Sequence, residues 1–498
     1  MKRSSGVLLP VFSLPSKYGI GSFSKSAYEF VDWLKEAGQS FWQILPLVPT
    51  SYGDSPYQSF STYAGNPYYI DLDELIEEGV LTKEEVEASD FGDCKDQIDY
   101  KKLYRRRYPL LRKAYERSDI SKNEEYCRYM EENDWWLKDY ALFMAVKDRF
   151  DGEAWTDWPE DIRLRYGYSM DYYRRELYFE IEFHQYLQFK FYQQWMKLKT
   201  YANERGIQII GDIPIYVAMD SADTWANPQM FQLDADNVPL AVAGCPPDGF
   251  SAVGQLWGNP LYRWDYHEQT GFDWWIKRLS YCFRLYDVVR IDHFRGFDEY
   301  YSIPFGAETA VDGHWEKGPG MALFRKMKEA LGDCQVVAED LGYMTDTVRQ
   351  LVAESGFPNM KVLEFAFDAR DTGSASDYLP HNYTENCVAY TGTHDNETII
   401  GWLDSITEEE RRMVRDYLWD YKTAKEQLNW PLICMLMRSR ANVVMIPVQD
   451  YLGLGNEGRI NHPSTVGKNW RWRLTGGQLS EELKKQVRRI TKLYGRMN

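Results

Sequence analysis

The sequence predicts an α/β chain folded as a (β/α)8 TIM barrel, with large helical and loop insertions around the C-terminal face. Two observations lead there. Eight short apolar or β-branched runs recur, at 6–12, 40–45, 207–213, 287–292, 335–340, 361–367, 387–393 and 442–447. Stretches with helical periodicity, such as 26–37 and 321–331, separate most of them. Strands that are apolar throughout and alternate with helices belong to a parallel sheet buried on both faces. Eight such units close a barrel, for which about 250 residues suffice. The chain has 498 residues, so much of it is insertion.

The first run lies in an apolar stretch, 6–14, that contains Pro10 and is followed by no small-residue cleavage site. It therefore reads as a buried strand rather than a signal-peptide core. The second run is followed by the largest insertion, 51–200. Its opening part, 51–71, is rich in Tyr, Ser, Gly, Asn and Pro and reads as a substrate-groove loop. Its later part is heavily charged and helical, including 100–117, 124–149 and 170–204, and is expected to pack beside the barrel as a subdomain. Residues 1–50 and 201–498 then form the catalytic barrel. After the third run, 216–265 is rich in Gly, Pro, Asn and Trp; a structureless connection of this length is usually functional, here a long active-site loop.

Composition narrows the partners. No run of 18 or more apolar residues occurs, so no membrane span is expected. A net charge of −17 disfavours nucleic acid and anionic membranes but not a neutral ligand. Aromatic residues reach 16%, and their flat faces suit the apolar faces of sugars. Seven scattered cysteines, with no C-x-x-C pair, argue against disulfides and zinc and for a cytoplasmic setting.

Barrel enzymes carry their chemistry where strands end at the C-terminal face. Those ends hold Asp212 (Gly-Asp-Ile-Pro), Asp292 (Arg-Ile-Asp-His-Phe-Arg-Gly-Phe), Glu339 (Ala-Glu-Asp-Leu-Gly) and Asp395 (Thr-His-Asp-Asn). One acidic strand end commonly caps the next helix. Four from four strands point to chemistry, and carboxyls in distinct protonation states are what glycosidic cleavage requires. Arg290 lies two residues before Asp292, so both side chains face the barrel axis. The guanidinium is expected to lower the Asp292 pKa, although a buried ion pair closing the barrel is the plainer reading. His293 falls on the opposite face, and His394 adjoins Asp395.

These motifs resemble the amylomaltase family, glycoside hydrolase family 77 of the α-amylase clan. Further matches are 51–57 with 61–67, 211–217, 245–251 and 254–260, so the resemblance covers nearly the whole chain. It implies a 4-α-glucanotransferase that moves α-1,4-glucan segments between maltooligosaccharides, glucose and longer glucans by a retaining double displacement. It further implies Asp292 as nucleophile, Glu339 as general acid/base and Asp395 as transition-state stabiliser. Arg290, Asp212, His394, Tyr57, Gln255 and Trp257 would contact substrate. The segment 459–465 departs from the family pattern, with Ile460 where Met is usual and Ser464 where Gly follows the proline.

Two other signals are discounted. Gly453-Leu-Gly455-Asn-Glu-Gly458 fits a dinucleotide fingerprint, but no βαβ unit follows it. The seven His show no metal-ligand spacing, so no cofactor or metal is expected. The rival readings are an α-amylase-like hydrolase using the same carboxylates and a non-catalytic glucan-binding protein on the same fold. No obligatory protein partner is implied.

Overall fold

The computed structural model describes all residues except 52, 93, 248–250, 343, 371–374 and 498. Tyr52 of the 51–57 motif and the Asp-Gly-Phe of the 245–251 motif therefore lie outside the described residues.

Among the described residues, twelve strands form two sheets. In chain order they are β1 Ser4–Leu8, β2 Phe41–Gln43, β3 Gln208–Pro214, β4 Ala241–Cys245, β5 Gln255–Pro260 and β6 Val288–Asp292. The second half of the chain adds β7 Glu299–Pro304, β8 His314–Lys317, β9 Val336–Ala338, β10 Asn359–Val362, β11 Cys387–Tyr390 and β12 Val443–Pro447. Eight of them close a parallel barrel in the order β1-β12-β11-β10-β9-β6-β3-β2. Each of the eight expected runs supplies one of these strands. The first and sixth start about two residues earlier than the hydropathy indicated. In the sixth, the run continues into a short 3-10 turn, Leu363–Phe365, that carries the chain off the barrel.

Two-residue alternation sorts the strand side chains. Leu8, Phe41, Ile210, Val288, Val337, Met360, Val388, Tyr390, Val443 and Met445 pack together inside the barrel. Their neighbours Ile209, Val289, Ile291, Ala389, Val444 and Ile446 join the outer layer beneath the helices. Arg290 and Asp292 follow Val288 on the inward face, and Asp212 follows Ile210. The β3–β6 register sets Asp212 beside Arg290. Gly211 leaves room for the Tyr286 ring, which would lie 2.2 Å from a Cβ at that position.

The insertion after β2 contains the long helices Tyr100–Arg117, Glu124–Arg149 and Tyr178–Glu204. The last packs both on Glu124–Arg149 and on the barrel helix Lys25–Glu36. Two nearly buried lysines hold it: Lys190 pairs with Glu78 inside the insertion at 2.7 Å, and Lys147 ties the insertion to Asp220 at 2.7 Å. One continuous apolar cluster runs from the outer barrel layer into these helices.

The 216–265 connection is more ordered than its composition indicated. It carries β4 and β5, which join β7 and β8 in an antiparallel sheet ordered β5-β4-β7-β8. The strands were illegible because Gly, Pro and Asn interrupt any alternation, and the sheet they belong to is completed only by β7 and β8, beyond β6. Among the described residues, no helix is long and apolar enough to cross a membrane. Gly453 ends the helix Val448–Leu452 in the left-handed region, so the glycine-rich stretch 453–458 closes that helix.

Candidate active site

The site is assembled at the C-terminal ends of β3, β6, β9 and β11. Arg290, almost wholly buried, links two carboxylates. Its Nη1 donates to Asp212 at 2.6 and 2.8 Å, and its Nη2 donates to Asp292 Oδ1 at 2.9 Å. Asp212 is fully enclosed, whereas 29% of the Asp292 side chain is open to the cleft. The Tyr57 hydroxyl donates to Asp212 Oδ2 at 2.8 Å, which brings the 51–71 loop onto the rim. Its ring lies nearly parallel to His394, with centroids 5.1 Å apart.

Glu339 directly follows β9. Its Oε2 accepts the His293 N–H at 2.6 Å, and its Oε1 accepts the Leu341 N–H at 2.9 Å. The first bond exists because the chain leaves β6 through a left-handed residue, His293 at φ +53°. That turn corrects the expectation that His293 points away from the site. Its ring meets Trp257 edge-on at 4.9 Å and approaches Tyr216 at 6.4 Å. Trp257 Nε1 in turn donates to Gln255 Oε1 at 3.1 Å. Strand-face alternation fails here because the strand has already ended.

Asp395 stands on the turn after β11, with 45% of its side chain exposed. His394 Nε2 is 3.2 Å from its Oδ2, and Asn461 Nδ2 donates to its Oδ1 at 2.6 Å. Arg459 Nη2 holds the Asp395 carbonyl at 3.0 Å. Trp470 packs against both Tyr57 and His394. Asn461, Arg459 and Trp470 were missed from the sequence, although the 459–465 motif that contains the first two marked the region.

The carboxyls differ in protonation. Burial raises the Asp292 carboxyl above its ordinary value, and Asp212 and Asp395 add to the rise. Arg290 lowers it, as expected, but does not overcome the rise from burial. Glu339 is also raised, first by burial and then by the charge of Asp292, and ends the higher of the two. The charge of Asp292 thus favours the protonated form of Glu339. Burial would raise Asp395 as well, but His394, Asn461 and Arg290 outweigh it and hold the carboxyl well below the usual range. Burial lowers His394, yet Asp395 more than compensates and raises it. Among the described residues, no group of three or more His, Cys, Asp and Glu side chains is placed to hold a metal ion.

A closed parallel barrel with carboxyls shifted in opposite directions around an aromatic-walled cleft defines a carboxylate-dependent enzyme of glycosidic bonds. The family model described as 4-alpha-glucanotransferase matches residues 9–480. The 4-alpha-glucanotransferase of Clostridium butyricum is 48% identical over 98% of this chain and 99% of its own length. That of Streptococcus pneumoniae is 46% identical over 100% of this chain and 98% of its own. The solved amylomaltase from Streptococcus agalactiae in complex with acarbose superposes with a TM-score of 0.96 at 44% identity, covering both chains completely. The chain belongs to the 4-alpha-glucanotransferase family, glycoside hydrolase family 77. It is a glycosyltransferase, as the motif resemblance implied, and the hydrolase reading is not favoured.

Proposed function

We propose that this protein transfers α-1,4-glucan segments from a maltooligosaccharide donor to the 4-hydroxyl of glucose or another glucan, with retention, through a glycosyl-enzyme on Asp292. The observation that carries this reading is the convergence of Asp292, Glu339 and Asp395 on one rim, where burial and the charge of Asp292 raise Glu339 while His394 and Asn461 hold Asp395 low. Asp292 attacks the anomeric carbon as Glu339 gives its proton to the departing sugar oxygen. The reducing-end fragment leaves. An incoming 4-hydroxyl, deprotonated by Glu339, then displaces Asp292, and the two inversions restore the α configuration.

Charge supports these roles. His394, Asn461 and Arg290 keep Asp395 ionised, and its negative charge suits the positive oxocarbenium-like transition state. Tyr57, Arg290, Asp212 and His394 act as substrate contacts on the donor side. Gln255 and Trp257 line the groove from β5. Seven free cysteines support a cytoplasmic setting.

The test is incubation with maltotriose, alongside Asp292→Asn. Glucose plus chains longer than three units, with no net gain of reducing ends, is the expected result. The variant should lose the ladder. Rising reducing ends with no longer chains would make the protein a hydrolase instead.

A further inference from the structure

Two acids at the rim have no part in the reaction as described. Asp450 lies in the helix Val448–Leu452 directly after β12 and is fully buried. Glu364 lies in the 3-10 turn after β10 and is 8% exposed. These strands flank β11. Both acids therefore sit beside the turn 391–399, which carries His394 and Asp395.

Their contacts are with that turn. Asp450 Oδ1 accepts the Ile399 N–H at 2.8 Å, and its Oδ2 accepts the Thr391 hydroxyl. One carboxyl thus fastens both ends of the turn. Glu364 Oε1 occupies the space beside Gly392, where an added Cβ would lie 2.6 Å from it and 3.1 Å from the Asn396 Cβ. Asn396 closes the turn from within: its Oδ1 accepts from the Thr393 N–H at 2.9 Å and the Thr393 hydroxyl at 2.8 Å. Thr393 Oγ1 accepts the Asp395 N–H at 3.3 Å.

We propose that Asp450, with Glu364 beside it, is a positioning residue that fixes Asp395 at the rim of the barrel. The inference rests on the reading that Asp395 stabilises the transition state. The contacts of both acids are with the turn, so their influence on the reaction passes through it. Burying a carboxyl is costly. Burial pushes Asp450 up to about 6 against the bonds from Ile399 and Thr391. Burial raises Glu364 further, helped by Asp450 and Glu397 and opposed by Arg459 and Asn396. What the fork of Asp450 supplies is geometry, two acceptor oxygens spanning donors at opposite ends of one turn. A displacement of the transition-state carboxylate by about 1 Å costs on the order of 100-fold in rate.

Transfer from maltotriose and thermal melting are measured for Asp395→Asn, Asp450→Ala, Asp450→Asn and Thr391→Val. Asp395→Asn should abolish turnover. Asp450→Ala should lower kcat by about 100-fold with KM little changed. Asp450→Asn, which keeps an acceptor for Ile399, should recover most of that loss, and Thr391→Val should fall between. If Asp450→Ala fails to fold, the other two variants decide. Full kcat in the position-450 and Thr391 variants, with Asp395→Asn inactive, would overturn the positioning role alone. Equal damage by Ala and Asn at 450, tracking the melting temperature, would reduce it to a structural role. Wild-type turnover by Asp395→Asn would remove the reading beneath the proposal, and the proposal with it.

Discussion

At Asp395 burial and charge pull in opposite directions, and the His394 contact decides the outcome. Replacing Asp395 with Asn removes the partner that raises His394, so burial should then lower the imidazole pKa. NMR titration of the His394 ring checks this; an unchanged midpoint would mean that another group sets it. Removing Asp212 takes away one of the negative charges that raise Asp292. In Asp212→Asn the acid limb of kcat/KM should therefore move to lower pH, beside any loss from the missing substrate contact. The three candidate catalytic carboxyls were legible because a barrel gives each strand end a known destination. Arg290 was legible through two-residue alternation. Its net effect on Asp292 was not, because the opposing charges come from β3 and the β11 turn, remote in sequence. Asp450 and Glu364 escaped notice for a related reason: they carry no motif, and their neighbours lie in another strand's turn.

Among the elements, β5 and the turn after β11 carry the most distinct consequences. Trp257 on β5 braces against His293, so Trp257→Ala should loosen the acceptor side of the cleft and admit water. The ratio of transfer to hydrolysis should fall, while Asp292 chemistry continues; product analysis with maltotriose reads both. The turn after β11 has a pH signature. Glu364 has a folded-state pKa raised above its unfolded value, so the folded protein holds a proton that the unfolded chain releases. The stability from this group is present below the unfolded carboxylate pKa and is lost as pH rises toward the folded one. Glu364→Gln should accordingly compare better with the wild type at pH 7 than at pH 4 in melting experiments. The long helices and eight barrel strands were readable from periodicity alone. The antiparallel sheet was not, since half of it comes from each side of β6 and neither half alternates cleanly.

For the molecule as a whole, closure of the barrel is the central constraint. Arg496 is fully buried beside the closing strands, and its guanidinium donates to the carbonyls of Ser4, Met437, Ser439, Ala441 and Asn442. Arg496→Ala removes these bonds at once, leaving Met437 and Ser439 to Arg3 and Asn442 to the Ser4 N–H, and should cost about 3 kcal/mol in denaturant unfolding, with kcat/KM retained. Loss of activity in parallel would mean that the seam also shapes the rim. The seam has a consequence for synthesis as well. β1 pairs with β12 through Ser4 and Val443, so the barrel stays open until almost the whole chain has been made. At about 5–20 residues per second, roughly 20–90 s pass while one edge of β1 waits unpaired on the ribosome. The helices between β2 and β3 emerge early in that interval and have their own partners. Chains stalled short of residue 443 should therefore resist protease across 100–204 while β1 is still cut.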